Sequence, residues 1–114
     1  MGHRRDRRPR RSHRWLGQHA KARDTALAAA TAYAALPDPQ AAPTRLAISR
    51  LDAALAHAAL GEPDTAVATA RTALPAGRPP HAVLRRARQL DGQLRRSHPG
   101  TATDAFHEEL RTLV

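Results

Sequence analysis

Cysteine is absent from the chain of 114 residues, so a disulfide framework and a thiol nucleophile are excluded. Aromatic side chains are limited to Trp15, Tyr33 and Phe106. With three valines and one isoleucine, strand-favouring residues are scarce, and no alternating apolar run of useful length occurs. There is thus no support for a sheet, and an all-α fold with a small core is favoured.

Long apolar segments are missing as well. No run approaches the roughly 20 residues that cross a membrane. The arginine-rich start, "MGHRRDRRPRRSHRW", is not followed by the apolar segment of a signal peptide. We therefore expect a cytoplasmic protein with no membrane partner.

Motifs for catalysis and metal binding are also lacking. Ser12, Ser49 and Ser97 have no glycine-framed turn of the kind that activates a nucleophile, and there is no glycine-rich phosphate loop. None of the seven histidines is paired at a spacing of three or four residues on a predicted helix, and His107-Glu108-Glu109 is typical of a solvated surface. We expect no enzyme activity, no metal site and no cofactor.

Alanine and arginine are present in excess. Twenty-six alanines favour helix, because alanine loses no side-chain entropy there. Eighteen arginines stand against one lysine, and residues 1–14 and 78–96 carry the whole excess of positive charge in a formal net charge of +9. Such a strong preference for arginine over lysine is typical of a GC-rich coding sequence. The number of arginines alone therefore does not indicate a function.

Prolines and glycines divide the chain into predicted segments. We expect a disordered basic arm at residues 1–17 and a helical domain at residues 18–114. The expected helices are about 18–36, 44–60, 63–74, 81–97 and a fifth after Gly100. Gly61 should end the second helix in a left-handed conformation, Thr44 should cap the start of that helix, and Thr101 or Thr103 should cap the fifth.

Apolar periodicity predicts which helix faces point inward. The predicted inward residues are Leu27, Ala30 and Tyr33 or Ala34 in the first helix, Ile48, Leu51, Leu55 and Ala58 or Ala59 in the second, Val83, Ala87, Leu90 and Leu94 in the fourth, and Ala102, Phe106, Leu110 and Leu113 in the fifth. With so few large side chains, we expect a marginal core that needs a neighbouring domain or a partner.

Two stretches of the chain are alike. "DTALAAATAYAALP" at 24–37 and "DTAVATARTALP" at 64–75 are offset by forty residues. The stretch "AISRLDAALAHAALGEPDTAVATARTALPAGRPP" at 47–80 resembles a tetratricopeptide repeat, a 34-residue pair of antiparallel helices. The positions that match the small packing residues and the turn of that family are Ala54, Gly61, Ala66, Ala70 and Ala73. The aromatic positions of the first helix do not match.

The resemblance implies helical hairpins stacked as a short tetratricopeptide-like array of about five helices. In that family, the first helices line a groove for an extended segment or a partner helix. The groove residues implied here are Ile48, Leu51, Leu55, Ala58 and Ala59. The alternative is that these five residues are simply part of the core.

The wider run from about residue 24 to residue 114 resembles the C-terminal helical region of actinobacterial helix-turn-helix transcriptional regulators. In those proteins such repeats follow a DNA-binding domain, and none precedes them here. The resemblance implies a truncated relative of the sensing part of such a regulator, or a gene fragment. Its partner would be a protein, a peptide or a second copy of the chain.

A second hypothesis is a small basic protein that binds nucleic acid non-specifically, because arginine neutralises phosphate charge. The residues that would make these contacts are Arg4, Arg5, Arg7, Arg8, Arg10, Arg11, Arg14, Arg85, Arg86 and Arg88. The alternatives are an unselected tail at the N-terminus and a solvated helix face at 85–96.

Overall fold

The protein is all-helical wherever the structure describes it. The computed structural model describes residues 7–38, 42–75 and 77–113, with side chains from residue 14 onward. The five helices of this part are α1 (Arg7–Ala34), α2 (Pro43–Ala59), α3 (Pro63–Ala73), α4 (His81–Ser97) and α5 (Thr101–Thr112). None of them is both long and apolar enough to span a membrane. The predicted class and number of helices are confirmed.

The first helix begins eleven residues earlier than the sequence predicts. It starts at Arg7 instead of near residue 18, so it includes much of the predicted arm over residues 1–17. Pro9 lies in the first helical turn, where a backbone N–H has no intrahelical acceptor, so the N–H that proline lacks costs the helix no hydrogen bond. Gly17 lies inside the helix, where its cost of about 1 kcal/mol relative to alanine is too small to end it. Residues 1–6 lie outside the described residues.

Gly61 ends α2 as predicted. Its φ of +81° is left-handed, and its N–H donates to the carbonyl of Ala58 at 3.1 Å. The next N–H, that of Glu62, donates to the carbonyl of His57 at 2.9 Å. These two hydrogen bonds from the turn satisfy carbonyls in the last turn of α2, and the chain then continues into α3.

The predicted threonine caps are wrong. The residue before α2 is Ala42, and Pro43 takes the first helical position, so the Thr44 side chain makes no cap. Gly100 precedes α5 and cannot cap with a side chain. Thr103 instead donates from its hydroxyl to the His98 carbonyl at 2.6 Å, which joins the first turn of α5 to the loop before it.

The helices form stacked hairpins. Helix α2 packs against α1, α3 and α4, and α5 packs against α3 and α4. The hairpin α2–α3 therefore stacks on the hairpin α4–α5, and α1 covers another side of α2. The core between the two hairpins contains Leu51, Ala54, Ala58, Ala66, Val67, Ala70, Ala73, Val83, Ala87, Leu90, Leu94, Phe106 and Leu110.

The predicted inward faces hold for the later helices and fail in part for α1. The four predicted residues of α4 are all buried, and so are Phe106 and Leu110 of α5. In α1 the buried residues are Ala26 and Ala30, whereas Leu27 is 39% exposed. Since alanines stand on every side of this helix, periodicity could not indicate which face would pack.

Candidate partner groove

A groove of about 1220 Å³ runs along α2, with α1 as one wall and α4 as the other. We call it the α2 groove. Along α2, its floor has small and apolar side chains at Leu55, Ala56, Ala58 and Ala59 and polar ones at Ser49 and Asp52. The α1 wall alternates polar and apolar side chains, namely Trp15, Gln18, His19, Lys21, Ala22, Thr25, Ala26 and Ala29, and the α4 wall is polar, with Arg86, Gln89, Gln93, Arg96 and Ser97.

The structure brings three of the five predicted groove residues into this groove. Leu55, Ala58 and Ala59 line it, and Ala58 also belongs to the core. Leu51 is completely buried in the core, and Ile48 packs against the core half-buried. Leu51 and Ile48 therefore belong to the core or its edge and do not line the groove.

The residues predicted for repeat packing lie where helices approach each other. Ala54, Ala66 and Ala70 are completely buried, and Ala73 is nearly so. All four belong to the core between the hairpins. Gly61 forms the turn after α2 and lines the end of the groove.

Two hydrogen bonds join the α4 wall to the floor. Gln93 donates from Nε2 to the Leu55 carbonyl at 3.4 Å, and the His98 ring donates from Nε2 to the Ala58 carbonyl at 2.8 Å. Both acceptors are backbone carbonyls in the C-terminal half of α2, and the Ala58 carbonyl accepts from the His98 ring in addition to the Gly61 N–H. These bonds place α2 and α4 side by side and parallel.

Other polar groups in the groove remain available. Gln18 and Gln89 make no hydrogen bond to any side chain or backbone group in the described residues. An amide side chain can donate and accept a hydrogen bond at the same time, so it can pair with both the N–H and the C=O of a peptide backbone. The groove therefore offers an apolar floor for close approach and amides on both sides.

The groove carries an excess of positive charge. Arg86 donates to the Asp52 carboxylate, which makes one compensated pair between α4 and α2. Partial burial raises the pKa of Asp52 above its ordinary value, and the positive charge of Arg86 partly offsets that effect. Lys21 and Arg96, on opposite walls, have no carboxylate within ion-pair distance among the residues with described side chains.

Trp15 and His19 form an aromatic pair at one end of the groove. Their ring centroids are 4.2 Å apart, and the planes meet at 79°. The Trp15 side chain is 43% exposed, whereas His19 Nε2 is buried without a described hydrogen-bond partner. Sequence reasoning missed this pair because Trp15 was assigned to the arm. The spacing of four residues within a helix-compatible stretch was the available signal.

The arginines predicted to contact nucleic acid are not equivalent in the structure. Arg14, Arg85 and Arg88 are exposed, and Arg86 is held by Asp52. The arginines at positions 7, 8, 10 and 11 lie on the backbone of α1, and their side chains are outside the described part. Arg4 and Arg5 lie outside the described residues altogether.

Comparisons with protein-family models, with curated proteins and with solved structures find no match for this chain. Within the described side chains, no group of three or more His, Cys, Asp or Glu residues could hold a metal ion. The features of the described residues that bear on function are the α2 groove and the distribution of charge.

Proposed function

We propose that the protein is a non-catalytic helical-repeat interaction domain whose α2 groove binds a peptide segment of a protein partner. The observation that carries this proposal is a floor of alanines flanked on both walls by amide side chains. The tetratricopeptide-like pattern of residues 47–80 supports it, because hairpins of that family bind partners in grooves of this kind.

The dimensions of the groove suit a polypeptide. The part of α2 that lines the groove runs from Ser49 to Ala59, which at 1.5 Å per residue is about 15 Å long. An extended segment rises about 3.3 Å per residue, so about five residues span this part of the helix. A volume of about 1220 Å³ also exceeds that of ordinary small-molecule pockets, which measure about 300–1,000 Å³.

The chemistry of the lining points to the same class of ligand. Ala58 and Ala59 leave space for a backbone to approach the floor, and Leu55 offers one larger apolar contact. Gln18 and Gln89 are placed on opposite walls, where they can pair with the amides of an inserted segment.

The resemblance to regulators of transcription extends the proposal. We propose that the domain is related to the sensing part of an actinobacterial helix-turn-helix regulator and that it acts in the cytoplasm by protein contact.

The test is selection of 12-residue peptides from a displayed random library on the full chain, followed by titration of the selected peptides. Ala59→Trp should fill the groove and weaken binding by more than tenfold. Ala68→Trp, on the exposed surface of α3, is the matched control and should bind as the wild type does. Equal binding by the wild type and Ala59→Trp would contradict the proposal, as would failure to enrich any peptide. A dimer that Ala59→Trp dissociates would identify the occupant as a second copy.

A further inference from the structure

We infer that one end of the molecule binds single-stranded nucleic acid, with arginines of α1 and α4 on the phosphates and Trp15 stacked on a base. We call this region the basic end and define it by Arg14, Trp15, Arg95, Arg96 and His98. The inference goes beyond the proposed function, because it concerns a different ligand and needs no peptide in the α2 groove.

The fold brings together two basic segments that are far apart in the sequence. Helices α2 and α4 run parallel, since Asp52 pairs with Arg86 and Ala58 pairs with His98 further along both helices. Helix α1 runs antiparallel to α2, so Trp15 lines the same end of the groove as Gly61. The start of α1 and the last turn of α4 therefore meet at one end of the bundle.

The arginines at this end lack ion-pair partners. Arg14, Arg95 and Arg96 are exposed, and none has a carboxylate within ion-pair distance among the described side chains. Glu62, next to Gly61 at this end, contributes one negative charge, and its carboxylate contacts the His57 ring at 2.7 Å. Other arginines of the described part also lack a carboxylate partner, namely Arg45, Arg50, Arg78, Arg85 and Arg88, so what distinguishes this end is that its arginines lie beside an exposed tryptophan.

The backbone of helix α1 begins well before Arg14. The helix continues for seven residues before Arg14, a rise of about 10 Å, and the sequence of this extension contains four more arginines. A chain with a net charge of +9 has a long-range attraction for polyanions in addition to these local contacts.

The exposed ring of Trp15 favours single-stranded nucleic acid over other polyanions as the ligand. Its ring makes an edge contact with His19 and is nearly half exposed at the basic end. Stacking of an unpaired base on an aromatic side chain is worth about 1–3 kcal/mol, and a base within a duplex is not free to stack in this way. An acidic peptide offers carboxylates to the arginines but no base to Trp15.

The first experiment measures binding of the full chain to a fluorescein-labelled 15-residue oligo(dT) by fluorescence anisotropy. Arg95→Gln together with Arg96→Gln should weaken binding at least tenfold at 50 mM salt and should reduce the slope of log K against log salt by about 1.4, because each single-strand phosphate contact contributes about 0.7. Arg45→Gln together with Arg78→Gln is the matched control: both arginines are exposed and lie at the opposite end of α2 and α4. The control should change affinity by less than threefold.

The second experiment uses Trp15 directly. It is the single tryptophan of the chain, so intrinsic fluorescence reports on the proposed site alone. Saturation with oligo(dT) should quench it. Trp15→Ala should weaken binding about tenfold, and Trp15→Phe should recover most of the loss because the ring is kept. Circular dichroism should show equal helix content in all variants, since every substituted residue is exposed or half-exposed.

Three results would overturn the inference. One is an equal loss in the two arginine double variants, which would mean that net charge alone governs binding. Another is duplex DNA of the same length binding as tightly as the single strand with no change in Trp15 fluorescence. The third is polyglutamate competing on equal terms and quenching Trp15 to the same extent, which would assign the basic end to acidic proteins.

Discussion

Substitution of Ala66 by leucine should destabilise the protein, although leucine and alanine are both good helix formers. Ala66 on α3 is completely buried in the core between the hairpins. Leucine adds three carbon atoms at a point where no side chain beyond Cβ has been accommodated. Overpacking of this kind costs about 1–3 kcal/mol. The control is Ala68→Leu, two residues along the same helix and exposed, for which a change within about 0.5 kcal/mol is expected.

The free energy of unfolding is best measured by urea titration followed by circular dichroism at 222 nm. Ala66→Leu should lower the midpoint urea concentration with little change in the slope m, because the area exposed on unfolding is almost unchanged. In thermal unfolding, the expected loss corresponds to several degrees in Tm. If the two leucine variants were equally stable, close packing of α3 through its alanines would be refuted.

Three further predictions concern single contacts. Gly61→Ala should lower the free energy of unfolding by about 1–2 kcal/mol because φ is +81°, even though nothing lies near the added methyl group. Gly17→Ala, inside α1, should instead raise it by up to about 1 kcal/mol. Calorimetry of the two variants should therefore show Tm shifts of opposite sign. Phe106→Ala should lower the free energy of unfolding by about 3–5 kcal/mol, because this completely buried ring is the largest side chain of the core. The measurement is whether the variant still unfolds cooperatively, and we expect that it does not. Glu109→Gln should cost about 0.2–1 kcal/mol at pH 7, because two hydrogen bonds from Arg71, at 3.0 and 2.6 Å, lower the pKa of Glu109 below its ordinary value of 4.5. This stabilisation is present above that ordinary pKa and is lost as the pH falls through the lowered one, so the urea midpoints of variant and wild type should converge in acid and remain apart at neutral pH.

Much of the fold follows from local features of the sequence. Pro43, Pro63 and Gly61 separate α2 from its neighbours, and the predicted bounds of α2 to α4 and the predicted start of α5 agree with the structure to within one or two residues. Val83 and Leu90 repeat with a helical period among arginines, which indicates the buried face of α4 without ambiguity. These features act within one or two helical turns, so they can be predicted without the tertiary structure.

The start and the buried face of α1 were harder to predict. The predicted start of α1 near residue 18 lies after the observed start at Arg7, because arginine is a good helix former and no residue between Pro9 and Ala34 interrupts the helix. The choice between Leu27 and Ala26 as the inward residue depended on how closely α1 approaches α2. Alanine permits a closer approach than leucine does, so the smaller residue is buried and the larger one remains exposed.

The candidate site could be predicted only in part. Leu55, Ala58 and Ala59 were expected in a groove from the repeat pattern alone, and they line it. The pairing of Arg86 with Asp52 joins residues on two helices, and no spacing in the sequence indicates it.

By itself, the sequence determined the helical class, the places where α2 to α5 begin and end, and the faces that bury Leu90 and Phe106. These properties depend on backbone propensity and on apolar periodicity, which are local. Only the tertiary structure decided that α1 and α4 form two walls of one groove and that Trp15 lies at the same end as Arg96. The physical reason is that the parallel arrangement of α2 and α4 depends on contacts between hairpins, such as that of His98 with Ala58, which arise only when the whole core packs.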